Sequence, residues 1–352
     1  MEIIGIMSGT SLDGCDIAHV KFTNKNGNES FKVLNCITFQ YQKDLLHKLK
    51  KATQLNGLEI SYLNKELGLF FGNCINKFIK TNQIIRKNIT TIACHGHTVF
   101  HQPEKKLTLQ IGCGQTIAHI TRIDTINDFR SKDVLAGGQG APLVPIGDFT
   151  LFNHLADGFL NIGGFCNISF QNNNQTIAFD ICPGNLPLNK MANKIKLEYD
   201  ENGEIAKRGI VNMSILSKMD QLEYYKKKHP KSLGVEWLNE FYYPIFSKDD
   251  SIDTTMSTIV EHISNQISQT INEHKIKSIL ITGGGAKNKY LVSKIKEKSN
   301  AKIIIPDNNI VDFKEAIIFA YMGYLFLNNK PNCLSSVTGA KYDVIGGVMN
   351  KH

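Results

Sequence analysis

The sequence has no run of apolar residues long enough to cross a bilayer. A helical span needs about 20 of them, so no membrane-spanning role is expected. It has no Cys-x-x-Cys pair, and its eight cysteines (15, 36, 74, 94, 113, 166, 182 and 333) are scattered, several inside apolar runs such as Ile92-Ala93-Cys94. That pattern fits reduced thiols in a cytosolic protein better than a disulfide framework. No basic segment precedes an apolar stretch at the start, where the residues go straight into a strand pattern, so no signal peptide and a cytoplasmic location are expected. The net charge of +8 is not gathered in one place. Lys is spread along the chain, and Lys226-Lys227-Lys228 reads as a solvated helix end. A nucleic-acid binder concentrates basic residues with interleaved aromatics, so neither a nucleic-acid nor a membrane partner is expected. A mildly basic surface does help attract an anionic small molecule. What the chain does have is core: 42% apolar and 20% charged residues in a length of 352, enough for two globular domains.

The chain is organised around its opening stretch. An apolar run over residues 3–7 enters Ser8-Gly9-Thr10-Ser11-Leu12-Asp13-Gly14, and Ile17-Ala18-His19-Val20 leaves as a second run. Two strand-like runs joined by a Gly-containing loop predict a β-hairpin. Gly9 and Gly14 let backbone N–H groups approach a ligand closely, and Thr10 and Ser11 add hydroxyl donors. Asp13 and Asp16 repel phosphate unless a cation sits between them. The plainer reading is a tight hairpin with turn-forming residues; the full Gly-Thr-Ser-x-Asp-Gly pattern favours a phosphate cradle.

Residues 30–41 continue the strand pattern, giving three early strands in antiparallel order. Apolar residues at helical spacing predict helices over 43–53 and 58–82. Strands are expected at 89–93, 107–111 and 122–126, with a helix at 115–121. Strands, then helices, then alternation of the two imply an α/β domain. Such sheets hold ligands just beyond strand ends, where His95, His97, Asp128 and Arg130 stand. His95, His97 and His101 raise the question of zinc, but catalytic zinc sites usually add a carboxylate or oriented partner. A His that hydrogen-bonds a polar ligand or orients a loop fits better. The planar fork of Arg130 suits a carboxylate; a surface ion pair with Asp128 or Asp133 is the alternative. Three Gly and two Pro between Val134 and Pro145 break regular structure, which marks either the crossing between domains or a close backbone approach to a ligand.

The second half starts like the first. Residues 158–169 read as strand, glycine turn (Gly163, Gly164) and strand. Residues 176–179 form a strand that ends at Asp180, ahead of Pro183-Gly184-Asn185 and a helix from about Leu186. Two glycine hairpins, each opening an α/β domain, point to a duplication. Facing each other, they would grip one phosphate chain from opposite sides, with Asp180 beside the transferring phosphate. Residues 196–250, polar and Lys-rich with the sole Trp at 237, read as an excursion packed on the second domain and not as chemistry. A long helix over 254–273 keeps Ile259, Ile263, Ile267 and Ile271 on its core face. A strand at 277–281 runs into Gly283-Gly284-Gly285-Ala286-Lys287-Asn288 and a helix at 289–298. Gly leaves room there for a flat base at a helix N-terminus. A strand at 301–305 and a helix at 314–327 follow.

In their order and completeness these pieces resemble the anhydro-N-acetylmuramic acid kinase family, of the actin-like, ribonuclease-H-like ATPase superfamily. The resemblance covers nearly the whole chain. It rests on Met7-Ser8-Gly9-Thr10-Ser11-Leu12-Asp13-Gly14-x-Asp16, Asp128-Phe129-Arg130 with Asp133, and Gly137-Gly138-x-Gly140-Ala141-Pro142-Leu143-Val144-Pro145. It continues through Asn161-Ile162-Gly163-Gly164 with Asn167-Ile168, Phe179-Asp180 with Pro183-Gly184-Asn185, Gly283-Gly284-Gly285-Ala286-x-Asn288, and Ser336-Val337-Thr338-Gly339-Ala340. It implies an α/β fold of two actin-like domains, residues 1–135 with the phosphate hairpin and sugar-side loops and residues 136–352 with the second hairpin, the catalytic Asp and the adenosine loop, around a central nucleotide and substrate cleft. It also implies a cytoplasmic homodimer that uses ATP and Mg²⁺ to open 1,6-anhydro-N-acetylmuramic acid with water and phosphorylate it to N-acetylmuramic acid 6-phosphate in peptidoglycan recycling.

By the same resemblance Asp180 is the catalytic base. Gly9, Thr10, Ser11, Leu12, Asp13, Gly14, Cys15 and Asp16 cradle the phosphates, and Gly163 and Gly164 form the opposing hairpin. Gly283, Gly284, Gly285 and Ala286, with Asn288, lie against the adenosine. Arg130 meets the lactyl carboxylate of the sugar, and His97, Asp128 and Glu315 are further sugar-side candidates, Glu315 having a helix N-terminal charge as its alternative. No metal ligand is assigned. The chain departs from the family pattern where Ile181 and Cys182 replace Thr and Gly, where Asn189 replaces Asp, and where His97 replaces Gln. The alternatives are a kinase for another amino or anhydro sugar and a non-catalytic ATP-gated sugar sensor.

Overall fold

The computed structural model describes residues 1–352 apart from Thr10, Ser11, Asp13, Asn26, Gly27, Asn174, Pro230, Lys248 and Asp249. By its contacts the chain divides into two units, Met1–Leu151 together with Phe313–His352, and Phe152–Asp312.

The first unit opens with an antiparallel meander of β1 (Glu2–Met7), β2 (Cys15–Lys25) and β3 (Asn28–Phe39). Helices α1 (Lys43–Lys50) and α2 (Gly57–Thr81) follow. A capping box starts α2: Asn56 accepts from the Leu58 and Glu59 N–H groups while the Glu59 carboxylate accepts from Asn56 N–H, satisfying donors that a helix start leaves open. Then come β4 (Ile89–Cys94), the hairpin β5 (His97–Gln102) and β6 (Leu107–Ile111), α3 (Gly114–Thr121), β7 (Thr125–Asn127), α4 (Ser131–Leu135) and α5 (Pro145–Leu151). The sheet order is β3-β2-β1-β4-β7, with β4 parallel to β1 and β7 parallel to β4. The strand expected over 122–126 starts later, because Arg122 takes a left-handed φ of 56° that caps α3.

The second unit repeats this design. Its meander is β8 (Gly158–Ile162), β9 (Phe165–Asn172) and β10 (Gln175–Pro183). Helices α6 (Asn185–Lys194), α7 (Glu204–Arg208), α8 (Met213–Asp220), α9 (Glu223–Lys226), α10 (Val235–Trp237) and α11 (Ile252–Glu273) come next, then β11 (Ser278–Thr282), α12 (Lys289–Lys298) and β12 (Lys302–Ile304). The order is β10-β9-β8-β11-β12, with β11 parallel to β8 and β12 parallel to β11. Strand order and strand directions are those of the first unit, so the α/β class and the duplication are both present. Ile259, Ile263, Ile267 and Ile271 on α11 are fully buried. The excursion over 196–250 adds Ile205, Ala206, Ile215, Met219, Leu238 and Tyr242 to the same core.

The chain ends with α13 (Asn308–Leu327), α14 (Ser335–Thr338) and β13 (Val348–Asn350). From Phe313 these residues contact the first unit, whereas the division at 135/136 put them in the second domain. The reason is burial. The interior of β1 and the last residues of β4, Ile92 to Cys94, are apolar and buried, as parallel-paired strands covered on both faces are. A Cβ on Gly5 would lie 1.9 Å from the Ala316 carbonyl oxygen, so the bare glycine lets α13 lie directly on the strand. β13 then pairs antiparallel with β7 as a sixth strand. No disulfide joins any of the eight cysteines. No helix among the described residues is long and apolar enough to cross a membrane.

Candidate active site

In the first unit the opening hairpin forms as expected, with Met7 opposite Asp16. Leu12 N–H donates to Gly9 O at 3.2 Å and Leu12 takes a left-handed φ of 60°. Gly14 has φ 151°, and a Cβ there would come within 2.8 Å of Phe39 O. Thr10, Ser11 and Asp13 lie outside the described residues. Asp16 Oδ1 accepts from the Thr38 hydroxyl at 2.6 Å. The Cys15 side chain is fully buried and burial pushes its thiol well up, so only its backbone is available to a ligand. The turn is anchored from below by Ser8, which accepts from the Tyr41 hydroxyl at 2.5 Å and meets His97 Nδ1 at 3.3 Å.

Arg130 is firmly held among the sugar-side candidates of the first unit. Its Nε donates to His95 Nε2 at 3.0 Å and its Nη1 to Gly140 O at 2.6 Å. His95 therefore carries its proton on Nδ1, which donates to Gly96 O at 2.9 Å. Burial lowers Arg130 to about 10 against the Glu315, Cys333 and Asp133 charges that favour its cation; it stays charged at neutral pH. Burial also raises the Glu315 carboxyl, against Lys314 and Arg130. Burial lowers His97 to about 4, leaving it neutral. Asp128 sits at a left-handed φ of 56° and accepts from Ser131 N–H at 3.2 Å, a turn role. Arg130 forms no ion pair with Asp128 or Asp133. Asp133 is buried and fastens the next loop: it accepts from Gly140 N–H at 2.8 Å and from the Thr338 hydroxyl at 2.8 Å. The three histidines do not converge: His95 serves Arg130, His97 meets Ser8, and His101 meets the Thr108 hydroxyl at 3.1 Å.

In the second unit three glycine-bearing turns meet. Gly184 N–H donates to Gly164 O and Asn185 N–H to Gly163 O, both at 2.8 Å, and the Asn185 amide donates to Ile162 O at 3.2 Å. The triple-glycine turn packs on the same spot. A Cβ on Gly283, whose φ is 81°, would lie 2.5 Å from Asn161 Oδ1, and one on Gly285 would lie 2.1 Å from the Ile162 side chain. Only Gly can take such positions. Gly284 is the open one, its nearest neighbour the Asn185 amide nitrogen at 3.4 Å. Asn288 caps α12, its Oδ1 accepting from Leu291 N–H at 3.0 Å, and Ala286 is buried.

Asp180 lies within β10 and not at its end, because the strand continues to Pro183, opposite Phe165. The register slips between Asp180 and Cys182, a bulge of the kind that re-aims a side chain. Ile181 and Cys182 are both buried and join the core, which accounts for apolar residues at these two places. Burial raises the Asp180 carboxyl to about 6, opposed by the Leu233 N–H, which donates to Oδ2 at 2.9 Å.

A family model described as anhydro-N-acetylmuramic acid kinase matches residues 1–351. The chain belongs to the anhydro-N-acetylmuramic acid kinase family. Relatives that carry that family name include those from three bacteria. The one from Francisella tularensis subsp. novicida is 35% identical over 372 residues, covering 99% of this chain and 98% of the relative. The one from Haemophilus influenzae is 35% identical over 377 residues, covering 99% and 97%. The one from Hydrogenovibrio crunogenus is 34% identical over 368 residues, covering 98% and 97%. Of the family motifs quoted from the sequence, Gly163-Gly164 and Gly283-Gly284-Gly285-Ala286 fall on the turns described above, whereas Asn167-Ile168 and Phe179-Asp180 lie within β9 and β10 and Ser336-Val337-Thr338 lies in α14. Residues that sequence reading passed over are Tyr224, Lys231 and Leu233, which all touch Asp180 or its strand. Their signal is weak in sequence, because backbone groups make two of the three contacts.

Proposed function

We propose that this chain uses ATP to convert 1,6-anhydro-N-acetylmuramic acid and water to N-acetylmuramic acid 6-phosphate and ADP, as a step of peptidoglycan recycling. The full-length family match carries the reading, and the surroundings of Asp180 support the step assigned to it. A bridging ether has no proton and is a poor nucleophile. Asp180 takes a proton from a water whose oxygen bonds to the anomeric carbon. The bridge bond breaks there, its electron pair stays on the freed oxygen, and that oxygen takes the γ-phosphoryl group while ADP leaves. A carboxylate that ionises at about 6 is charged at neutral pH and still basic enough to accept the proton. Such assistance supplies roughly 10²- to 10⁴-fold, with positioning and charge neutralisation doing most of the rest.

In this reading the phosphates meet the turn over residues 9–16 and Gly163-Gly164. The adenosine meets Gly283, Gly284, Gly285 and Ala286, with Asn288 holding the following helix in place. Arg130 binds the lactyl carboxylate, and His97, Asp128 and Glu315 line the sugar side. Mg²⁺ comes with the nucleotide and neutralises phosphate charge. Asp16, next to the phosphate turn, would offer a carboxylate oxygen to that Mg²⁺. The same reading makes the protein a cytoplasmic homodimer acting on a small molecule.

The test is mass analysis of the product formed from ATP and the anhydro sugar in ¹⁸O water. Label at the anomeric position is expected; an unlabelled product rejects hydrolytic opening. Asp180→Asn is expected to bind ATP and lose phosphorylation, and normal turnover in that variant rejects the assigned base.

A further inference from the structure

β10 is an edge strand of its sheet, and residues 231–233 run along its free side. Asp180 N–H donates to Lys231 O at 3.1 Å. Leu233 N–H donates to Asp180 Oδ2 at 2.9 Å. The Tyr224 hydroxyl donates to Asp180 O at 2.6 Å. One residue is thus held at its N–H, its carbonyl and one carboxylate oxygen. Asp180 Oδ1 accepts no hydrogen bond from any described residue.

The holding segment is itself fixed. The Lys231 ammonium lies 4.7 Å from the Tyr224 ring centroid and 5.7 Å from that of Phe179, within cation–π range. Its Nζ reaches Tyr224 O at 3.5 Å, and His229 stacks on Phe179 at 5.6 Å. Beside Tyr224, the Tyr225 hydroxyl meets the buried His262 Nε2 at 2.8 Å, and His262 Nδ1 meets Asp220 Oδ1 at 2.8 Å. α8, α9 and α11 therefore set where Tyr224 stands.

We propose that Tyr224 and residues 231–233 form a strap that positions the base, fixing the carboxylate rotation with Leu233 N–H on Oδ2 so that Oδ1 alone takes the proton from water. The inference rests on Asp180 being the base. Tyr224 and Leu233 are positioning residues: neither has to touch substrate. A peptide N–H on a carboxylate favours its charged form, so the strap also keeps Asp180 ionised against the burial that opposes it.

Two variants separate the contacts. Leu233→Pro removes the N–H, and Tyr224→Phe removes the hydroxyl. Turnover is measured with ATP and the anhydro sugar across the pH range. Leu233→Pro is expected to lower plateau kcat about tenfold and to move the acidic limb of kcat up by at least about half a pH unit, since the carboxylate loses a donor. Tyr224→Phe is expected to lower kcat about fivefold. KM for ATP is expected to stay within about twofold of wild type in both, because kcat alone reports an interaction made at the transition state. Wild-type kcat with an unmoved limb overturns the proposal, as does an effect confined to KM for ATP. Where Leu233→Pro does not fold, wild-type kcat in Tyr224→Phe overturns it alone. Asp180→Asn run in parallel keeps the two readings apart: full turnover there removes the base itself, whereas lost turnover there beside wild-type strap variants removes only the strap.

Discussion

For Asp180, pH is expected to act in opposite senses on activity and stability. As the proposed base it has to be ionised, so kcat is expected to fall as pH drops through about 6. Its unfolded-state carboxyl ionises near about 3.9, so between these values the folded state holds the extra proton. The stability linked to this group is full below the unfolded value and is lost as pH rises through the folded one. Asp180→Asn is therefore expected to melt higher than wild type at alkaline pH, with the gap closing in acid; scanning fluorimetry at the two extremes checks this, and a pH-independent gap contradicts it. Arg130 makes a different prediction. Its Nε and Nη1 are already directed by His95 and Gly140, which fixes the plane of the fork. Lys cannot reproduce that geometry, so Arg130→Lys should raise KM for the sugar about tenfold or more and leave KM for ATP unchanged in steady-state assays.

At the scale of elements, the triple-glycine turn separates packing from ligand approach. Gly285→Ala drives a methyl group into Ile162 and should destabilise the second unit by roughly 1–3 kcal/mol, the usual effect of overpacking. Gly284→Ala meets only the Asn185 amide at 3.4 Å, so it should fold normally and still weaken ATP binding if the adenosine rests there. Calorimetric titration and thermal melts on the pair distinguish the two, and unchanged ATP affinity in folded Gly284→Ala removes the turn from the nucleotide site. A second element-level device is the buried ion pair between α5 and α13, Lys314 Nζ to Asp148 Oδ1 at 3.0 Å, with side chains 4% and 3% exposed. Asp148→Asn takes away the carboxylate that Lys314 meets there, so it is expected to lower stability in denaturant unfolding.

For the whole molecule, the last forty residues decide whether the first unit has a complete sheet. Residues 313–352 belong to that unit by contact and supply both the helix against Gly5 and the strand beside β7. A chain ending at Asp312 is expected to leave the first unit unfolded, which proteolysis at β1 to β3 would detect; full protection of those strands contradicts it. Ligand linkage acts at the same scale. ATP at about 100 times its Kd should stabilise the protein by about 2.7 kcal/mol if it binds only the folded state.

The sequence by itself determined the elements with strong period and sharp punctuation. Residues 107–111 and 289–298 form the strand and helix read from their pattern, and both glycine hairpins stand where Gly interrupts two apolar runs. It also supplied the family, because ordered motifs survive where turns demand particular residues. Tertiary structure decided what rests on contacts distant in the chain. α13 packs on the first sheet although it follows the second in sequence. Asp180 is held by backbone groups from a Lys-rich stretch fifty residues on, and no side-chain pattern records a peptide N–H. The pleat and the helical turn are written in neighbouring residues, whereas the burial and hydrogen bonding that tune a carboxylate are set by whichever segments the folded chain brings against it.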